Sequence, residues 1–214
     1  MREARLLPGC QEGSQGVTDG IRTTLSDTGA TSPVITASDV KTHARIYHSQ
    51  DDTYLSTLIT TATQIIEHET RRALINRSFA YQLERFPEDG EIILPRSPLS
   101  SVTSVTYTDS AGATQTLAAT VYHTYSVNGV GRVVLKSTES WPATQGTGAL
   151  DVTVNFVAGY GASASNVPAA LRHATLLQAT HLYDNRTAVG PTQLYEVPMT
   201  VQRLIVQYHS GEYA

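Results

Sequence analysis

The stretch ITASDVKTHARIYHSQDDTYLSTLITTATQIIEHETRRAL, residues 35–74, decides how the rest of the chain is read. It holds two helix signals in tandem. Thr36 supplies a side-chain acceptor ahead of a periodic apolar segment, and Asp39 follows at the spacing of a capping box. Ile35, just before the cap, sits where a hydrophobic staple would close on the first turn. This helix is expected to run to about Tyr47, with Val40, Ala44 and Tyr47 on one face. The second begins after Asp51-Asp52, because carboxylates favour the positive end of a helix dipole. Leu55, Leu58, Ile59, Ala62, Ile65 and Ile66 then follow the i, i+3, i+4, i+7 template of an amphipathic helix. Its end is expected near Ala73-Leu74.

Past residue 77 the apolar period falls to two. Phe79, Tyr81 and Leu83 alternate with polar neighbours, as on a half-buried strand. Pro87 to Gly90 reads as a turn and Glu91 to Leu94 as a short strand, with Pro95 and Pro98 interrupting it. Val102 to Tyr107 alternates imperfectly, turns at Asp109 to Gly112 and returns as Thr114 to Leu117. Val121 to Val127, Gly131 to Lys136 and Leu150 to Val157 supply three more strands, the first two joined by Asn128-Gly129, a strong hairpin signal. Helical spacing resumes after Val167-Pro168, with Leu171, Ala174, Thr175, Gln178, His181 and Leu182 on one face and an end by Asn185. A loop broken by Gly190-Pro191 leads to a last helix from Pro198, with Val201, Leu204, Ile205 and Tyr208 on one side.

Residues 1–33 show no periodicity and are rich in Gly, Thr, Ser and Asp. Such composition buries too little apolar area to offset ordering entropy, so the segment reads as a flexible arm, or one that orders against a neighbour. The expected fold class is therefore α+β: a helical bundle of two N-terminal and two C-terminal helices with an inserted antiparallel β unit. Residues 34–76 and 162–209 would form the helical domain, 77–161 the inserted β sub-domain and 210–214 a C-terminal tail.

The 214 residues suffice for one medium domain with a sub-domain. Only 16% are charged, against about a quarter in average proteins. Thr, Ser, Ala and Gly make up the difference, which suits surfaces that neighbouring subunits cover. The net charge of −4 lacks the basic excess of a nucleic-acid binder. It is compatible with a channel past which DNA slides. Cys10 is the single cysteine, so no intrachain disulfide or cysteine metal knuckle can form. No apolar run reaches membrane-spanning length, and Met1 to Cys10 does not read as a secretory signal.

Catalytic patterns were sought and none is carried by the residues. Arg72 stands four positions after His68, where a zincin would need histidine. His173 and His181 share a helix face with Asp184 nearby, but no further ligand converges on them. The glycines of Asn128 to Arg132 lie between strands, with no helix to hold a phosphate. The run GASAS at 161–165 lacks the glycine that follows a nucleophile elbow serine. Asp51-Asp52 is explained by helix capping and Glu88-Asp89 by a turn. Neither a cofactor, a metal site nor an enzyme activity is expected. Arg71, Arg72 and Arg77 cluster where a helix C-terminus welcomes cations. The alternative is contact with channel DNA or with an acidic neighbouring subunit.

These residues resemble the head–tail connector (adaptor, or head-completion) proteins of tailed bacteriophages. In that family a helix beginning ITxxEAKxHLR is followed by an acidic pair and a long helix ending near TGRxL. Ile35, Thr36, Asp39, Lys41, His43, Arg45, Asp51, Asp52, Thr70, Arg72 and Leu74 match here, while Arg71 stands where glycine is common, which suggests a longer helix. Phe86-Pro87, Leu94-Pro95, Pro98-Leu99 and Ser101-Val102 match the β insertion. The turn at Ala158 to Gly161, Val167-Pro168 and HLYDNR at 181–186 match its close. The resemblance covers roughly residues 34–187. It implies a virion structural protein of the neck, assembled in the host cytoplasm as a homo-oligomeric ring of about twelve copies with heterologous contacts. The ring would bind the portal protein on one side and a tail-side neck or tail-terminator protein on the other. Genomic DNA would pass through without sequence-specific binding, and no membrane is involved. Another neck or tail-completion role is the alternative. Leu204, Ile205, Tyr208 and Tyr213 are candidates for portal contact, unless their stripe simply packs on the other helices.

Overall fold

The computed structural model describes residues 14–18, 21–27, 32–186 and 199–209. Cys10, Tyr213, the tail 210–214, most of the loop after Arg186 and the expected start of the last helix at Pro198 lie outside them. The fold is mixed α and β. Four helices, α1 (Ala37–Ala44), α2 (Asp52–Thr70), α3 (Ala169–Asp184) and α4 (Met199–Ile205), flank two antiparallel sheets. The strands are β1 (Ser14–Thr18), β2 (Ile21–Asp27), β3 (Arg77–Leu83), β4 (Glu91–Ile93), β5 (Leu99–Thr108), β6 (Thr114–Thr116), β7 (Tyr122–Val127), β8 (Val130–Leu135) and β9 (Val152–Ala158). One sheet runs β1-β2-β3-β9-β5-β6 and the other β4-β8-β7.

The start of α1 is built as its residues dictate. The Asp39 N–H donates to Thr36 Oγ1 at 3.2 Å, and the Thr36 N–H donates to Asp39 Oδ2 at 2.7 Å. Ile35 and Val40 bracket this cap and are both buried in the helical core, the staple in place. Along α2 the periodic set Leu55, Leu58, Ile59, Ala62 and Ile66 is buried, while Ile65 is half-buried. Leu55, Ile59, Ala62 and Ile66 share their apolar cluster with Leu171, Ala174 and Ala179 of α3 and with Val201 and Ile205 of α4.

A second cluster fills the β side, from Phe79, Tyr81 and Leu83 of β3 to Val152, Val154 and Phe156 of β9. Phe79 lies opposite Phe156, their rings stacked at 5.4 Å. The imperfect alternation of β5 has a physical cause: its register against β9 shifts between Leu99 and Ser101 and again between Val102 and Ser104. Such bulges move side chains from one face to the other.

Three expectations are corrected. The helix α1 stops at Ala44, not near Tyr47, because Arg45 takes the left-handed conformation at φ 56°, and Tyr47 is exposed instead of sharing a packed face. The helix α2 stops at Thr70, not at Ala73-Leu74, because Arg71 itself takes the left-handed conformation at φ 55°. A residue other than glycine ends the helix here, and the expected extension does not occur. Downstream backbone groups are claimed by other elements: the Ala73 N–H donates to the Ser97 carbonyl at 2.8 Å and the Leu74 N–H to Glu67 Oε1 at 2.7 Å. The expected arm, in turn, contains β1 and β2, and β2 extends the large sheet by pairing with β3. Ile21 and Thr23 are buried there. The inward position of a polar threonine hid this strand from hydrophobic periodicity.

The two apolar clusters meet at residues 73–75, where Ala73 packs on the β side and Leu74 and Ile75 on the helical side. Glu67, 3% exposed, holds this junction. Its Oε1 accepts from Leu74, its Oε2 accepts from Arg77 Nη2 at 2.8 Å, and its backbone carbonyl accepts from Arg96 Nη1 at 3.2 Å. Arg77 also pairs with Asp27 of β2 at 2.6 Å. Opposite the junction, a Cβ on Gly159 would lie 2.4 Å from the Asn76 nitrogen, backbone that cannot give way.

Removing one partner of a buried ion pair strands the other, so Glu67→Ala should destabilise the fold by about 3 kcal/mol. Glu67→Gln, which keeps an acceptor for the Leu74 N–H, should lose less. Urea unfolding of both variants checks the order; a wild-type midpoint for Glu67→Ala would remove Glu67 from its role at the junction.

Candidate assembly surfaces

Two of the three arginines singled out in the sequence are engaged within the subunit. Arg77 is occupied by Glu67 and Asp27, with its side chain only 11% exposed. Arg72 donates through Nε to the Tyr208 carbonyl and through Nη2 to the Asn128 carbonyl at 3.5 Å. It thus joins the C-terminal turn to the β7–β8 hairpin. Arg71 is exposed at the helix end. The bonds to the Tyr208 carbonyl and to Asp27 were not legible in the sequence, because neither partner is near in it.

The C-terminal stripe is divided by its packing. Ile205 is buried with Val201, while Leu204 and Tyr208 are half-buried against the same helical cluster. Met199, at the start of α4, and Val206, just past its end, are exposed. Packing on the other helices therefore accounts for Ile205.

A cluster that sequence reasoning missed lies at the other end of α2. Asp51 occupies the N-cap position but makes no side-chain cap. Its Oδ2 accepts instead from the Tyr183 hydroxyl at 2.7 Å and from Arg186 Nη2 at 2.9 Å. The Arg186 guanidinium stacks on the rings of Tyr54 at 5.0 Å and Tyr183 at 4.7 Å. The neighbouring Asp52 pairs with Lys41 of α1 at 2.8 Å. The acidic pair and the HLYDNR segment are thus two halves of one clamp, with Tyr183 lying 132 residues beyond Asp51 and α2 and the whole run β3 to β9 in between. Their shared place in the resemblance was the available signal; local capping rules pointed elsewhere. The hydrogen bond from Tyr183, then that from Arg186, holds the Asp51 carboxyl below the usual aspartate range. The same bond to Asp51 pushes the Tyr183 hydroxyl up.

Of the histidines considered for metal, His173 is exposed and meets the His43 ring edge-on at 6.3 Å, whereas His181 contacts Asn185. Among the described residues no group of three or more His, Cys, Asp or Glu is placed to hold a metal ion. A cleft of about 790 Å³ opens between α2, β2, β3 and the segment before α1, with Leu25, Ile35, Ile59 and Phe79 as apolar lining and Asp27, Glu67, Arg77 and Arg96 as charged lining. Both oxygens of Glu67 are taken up by a backbone N–H and an arginine, the pattern of a structural ion network, not of an acid–base pair. No described helix is long and apolar enough to cross a membrane.

Residues 33–193 match the family model described as head completion protein, and the chain belongs to that family. Among solved structures, it is similar to a chain in the neck of an empty gene transfer agent particle computed with C6 symmetry. That match has a TM-score of 0.73 and 25% identity, covering 86% of this chain and 94% of that one. A chain of the native gene transfer agent virion matches with the same values. A chain in the native neck computed with C12 symmetry matches at TM-score 0.67, with 25% identity and the same coverage. No curated protein matches.

In the Asp51 clamp, Tyr183→Phe and Arg186→Ala should each raise the Asp51 pKa, since each removes a hydrogen bond that holds the carboxyl down. A carboxyl whose folded pKa is depressed stabilises the fold above the ordinary aspartate value of about 3.9 and loses that contribution as pH falls through the folded value. Carboxyl NMR titration of Asp51 in both variants checks this; an unmoved Asp51 in Tyr183→Phe would refute it.

Proposed function

We propose that this protein is a structural component of a virion neck, forming a ring-shaped head–tail adaptor between portal and tail. The observation that carries this reading is the backbone match, over 86% of the chain, to a protein in the neck of a phage-like particle. Membership of the head completion family supports it. The helices, as a bundle, form the wall of a ring of about twelve copies around the DNA channel, with the β sub-domain projecting from it. The C12 symmetry used for the related neck supports that number. The protein acts by shape and contact, not by catalysis, and it resides at the head–tail interface.

The channel is lined without strong phosphate binding. The chain has net charge −4, and Arg72 and Arg77 are tied up inside the subunit. Portal engagement falls to the C-terminal segment, where Met199 and Val206 are exposed and Leu204 and Tyr208 are half-buried at its border. Tyr213 belongs to the same end of the chain, outside the described residues.

Light scattering on the purified protein, alone and mixed with its portal, tests the reading. A complex holding about twelve copies per portal is the expected result; a protein that ignores the portal but binds the tail tube would make it a tail-completion protein instead. Deleting residues 210–214 should leave the melting temperature unchanged and weaken portal capture, and undiminished capture would exclude the tail from the contact.

A further inference from the structure

Among the described residues, the outermost strands are β1 and β6 in the large sheet and β4 and β7 in the small one. β4 and β6 have three residues each, whereas β1 has five and β7 six. Natural edges are commonly protected by charge, proline or a bulge, because unpaired backbone groups invite another strand. β7, with the sequence YHTYSV, contains no Asp, Glu, Lys, Arg or Pro, and its register against β8 runs without a shift. From His123 to Val127 successive residues are exposed on both faces, with Tyr125 at 46% and Val127 at 40%. Tyr122 is half-buried against the β-side cluster, the exposed run begins at His123, and Val130, Gly131 and Val133 of the partner β8 are buried.

The hairpin determines which backbone groups are open. Asn128 and Gly129 both have positive φ, 52° and 88°, the two-residue turn that makes Val127 and Val130 a hydrogen-bonded pair. Bonded and non-bonded pairs then alternate along an antiparallel ladder. The Lys136 N–H donates to the Val121 carbonyl at 3.0 Å, in the same phase. Val127, Tyr125 and His123 therefore face β8 with their backbone groups, and those of Tyr122, Thr124 and Ser126 point outward.

We propose that the open edge of β7 is an assembly surface that adds a strand from a second copy of this chain, and that the added strand is β1 of the neighbouring subunit. β1, SQGVT, also lacks charge and comes within one residue of β7 in length, so the two edges meet without electrostatic repulsion. Backbone pairing of this kind supplies affinity through main-chain hydrogen bonds. Pairing β7 with β7 would be twofold and stop at a dimer. Pairing β7 with the distinct edge β1 is heterologous and repeats around a ring. The contact rests on the ring reading given above and names the surface that builds it.

The test uses full-length protein, with self-association followed by light scattering and electron microscopy over a range of concentrations. Thr124→Pro and Ser126→Pro remove outward N–H groups without touching the β7–β8 ladder, a position where proline is tolerated on an edge. Each should keep the wild-type melting temperature and weaken self-association by roughly tenfold, the worth of one lost hydrogen bond. Tyr125→Pro, whose N–H faces β8, is the control that disrupts the hairpin. In assembled wild-type protein, amide exchange at Thr124 and Ser126 should slow relative to the monomer. Wild-type rings with equally stable proline-variant rings, and unprotected amides, would overturn the β7 contact and leave the ring reading standing. A wild-type chain that stays monomeric both alone and with portal would overturn the ring reading and this contact with it.

Discussion

A buried carboxylate at the end of α2 is the constraint on which the rest depends. Taking Glu67 out of water is costly unless every lone pair facing the interior is used. Its two oxygens meet that demand by accepting from the Leu74 N–H and from Arg77. The first bond replaces a helical partner and lets the chain leave α2 at Arg71. The second brings in the start of β3, and through Asp27 the end of β2. Arg96 binds the carbonyl of the same residue from the far end of the loop after β4. One residue thus connects the helical cluster, β3 and β2 through its side chain and the loop leading into β5 through its backbone carbonyl.

The same economy of charge shapes the surface. The stretch from Thr53 to Ile66 has no charged residue. On its exposed side the hydroxyls of Ser56, Thr57, Thr60 and Thr61 donate to carbonyls one turn back along their own helix. Their hydrogen-bonding capacity is partly satisfied within the helix, and methyl groups make up much of what remains outside. Charge is concentrated in clamps: Lys41 with Asp52, Arg186 with Asp51, Arg132 with Glu91, Arg22 with Glu84. This division would suit the proposed assembly role, because neutral surface can be covered without desolvating ions.

Much of the candidate surface was hidden from the sequence for an identifiable reason. Asp51 had a sufficient local explanation, helix capping, and that explanation was wrong in detail because Tyr183 and Arg186 compete for the carboxylate. Arg72 and Arg77 had another, the helix dipole, yet each finds partners on segments far along the chain. The apolar stripe at Val201, Leu204, Ile205 and Tyr208 was legible, but a stripe does not say whether it faces its own core or a partner. The packing of Val201 and Ile205 answers that for those two residues.

What the sequence determined by itself is the local grammar. The capping box and staple of α1, the periodic face of α2, the alternation of β3, the Asn128-Gly129 hairpin and the face of α3 all rest on interactions spanning four residues or fewer, and all are present. Tertiary structure alone decided where α2 ends, that β2 joins the sheet, and that the acidic pair meets the HLYDNR segment. Those outcomes turn on which polar groups burial brings within about 3 Å of each other. A buried donor or acceptor takes whatever partner the packed chain presents, and no local spacing rule records that choice.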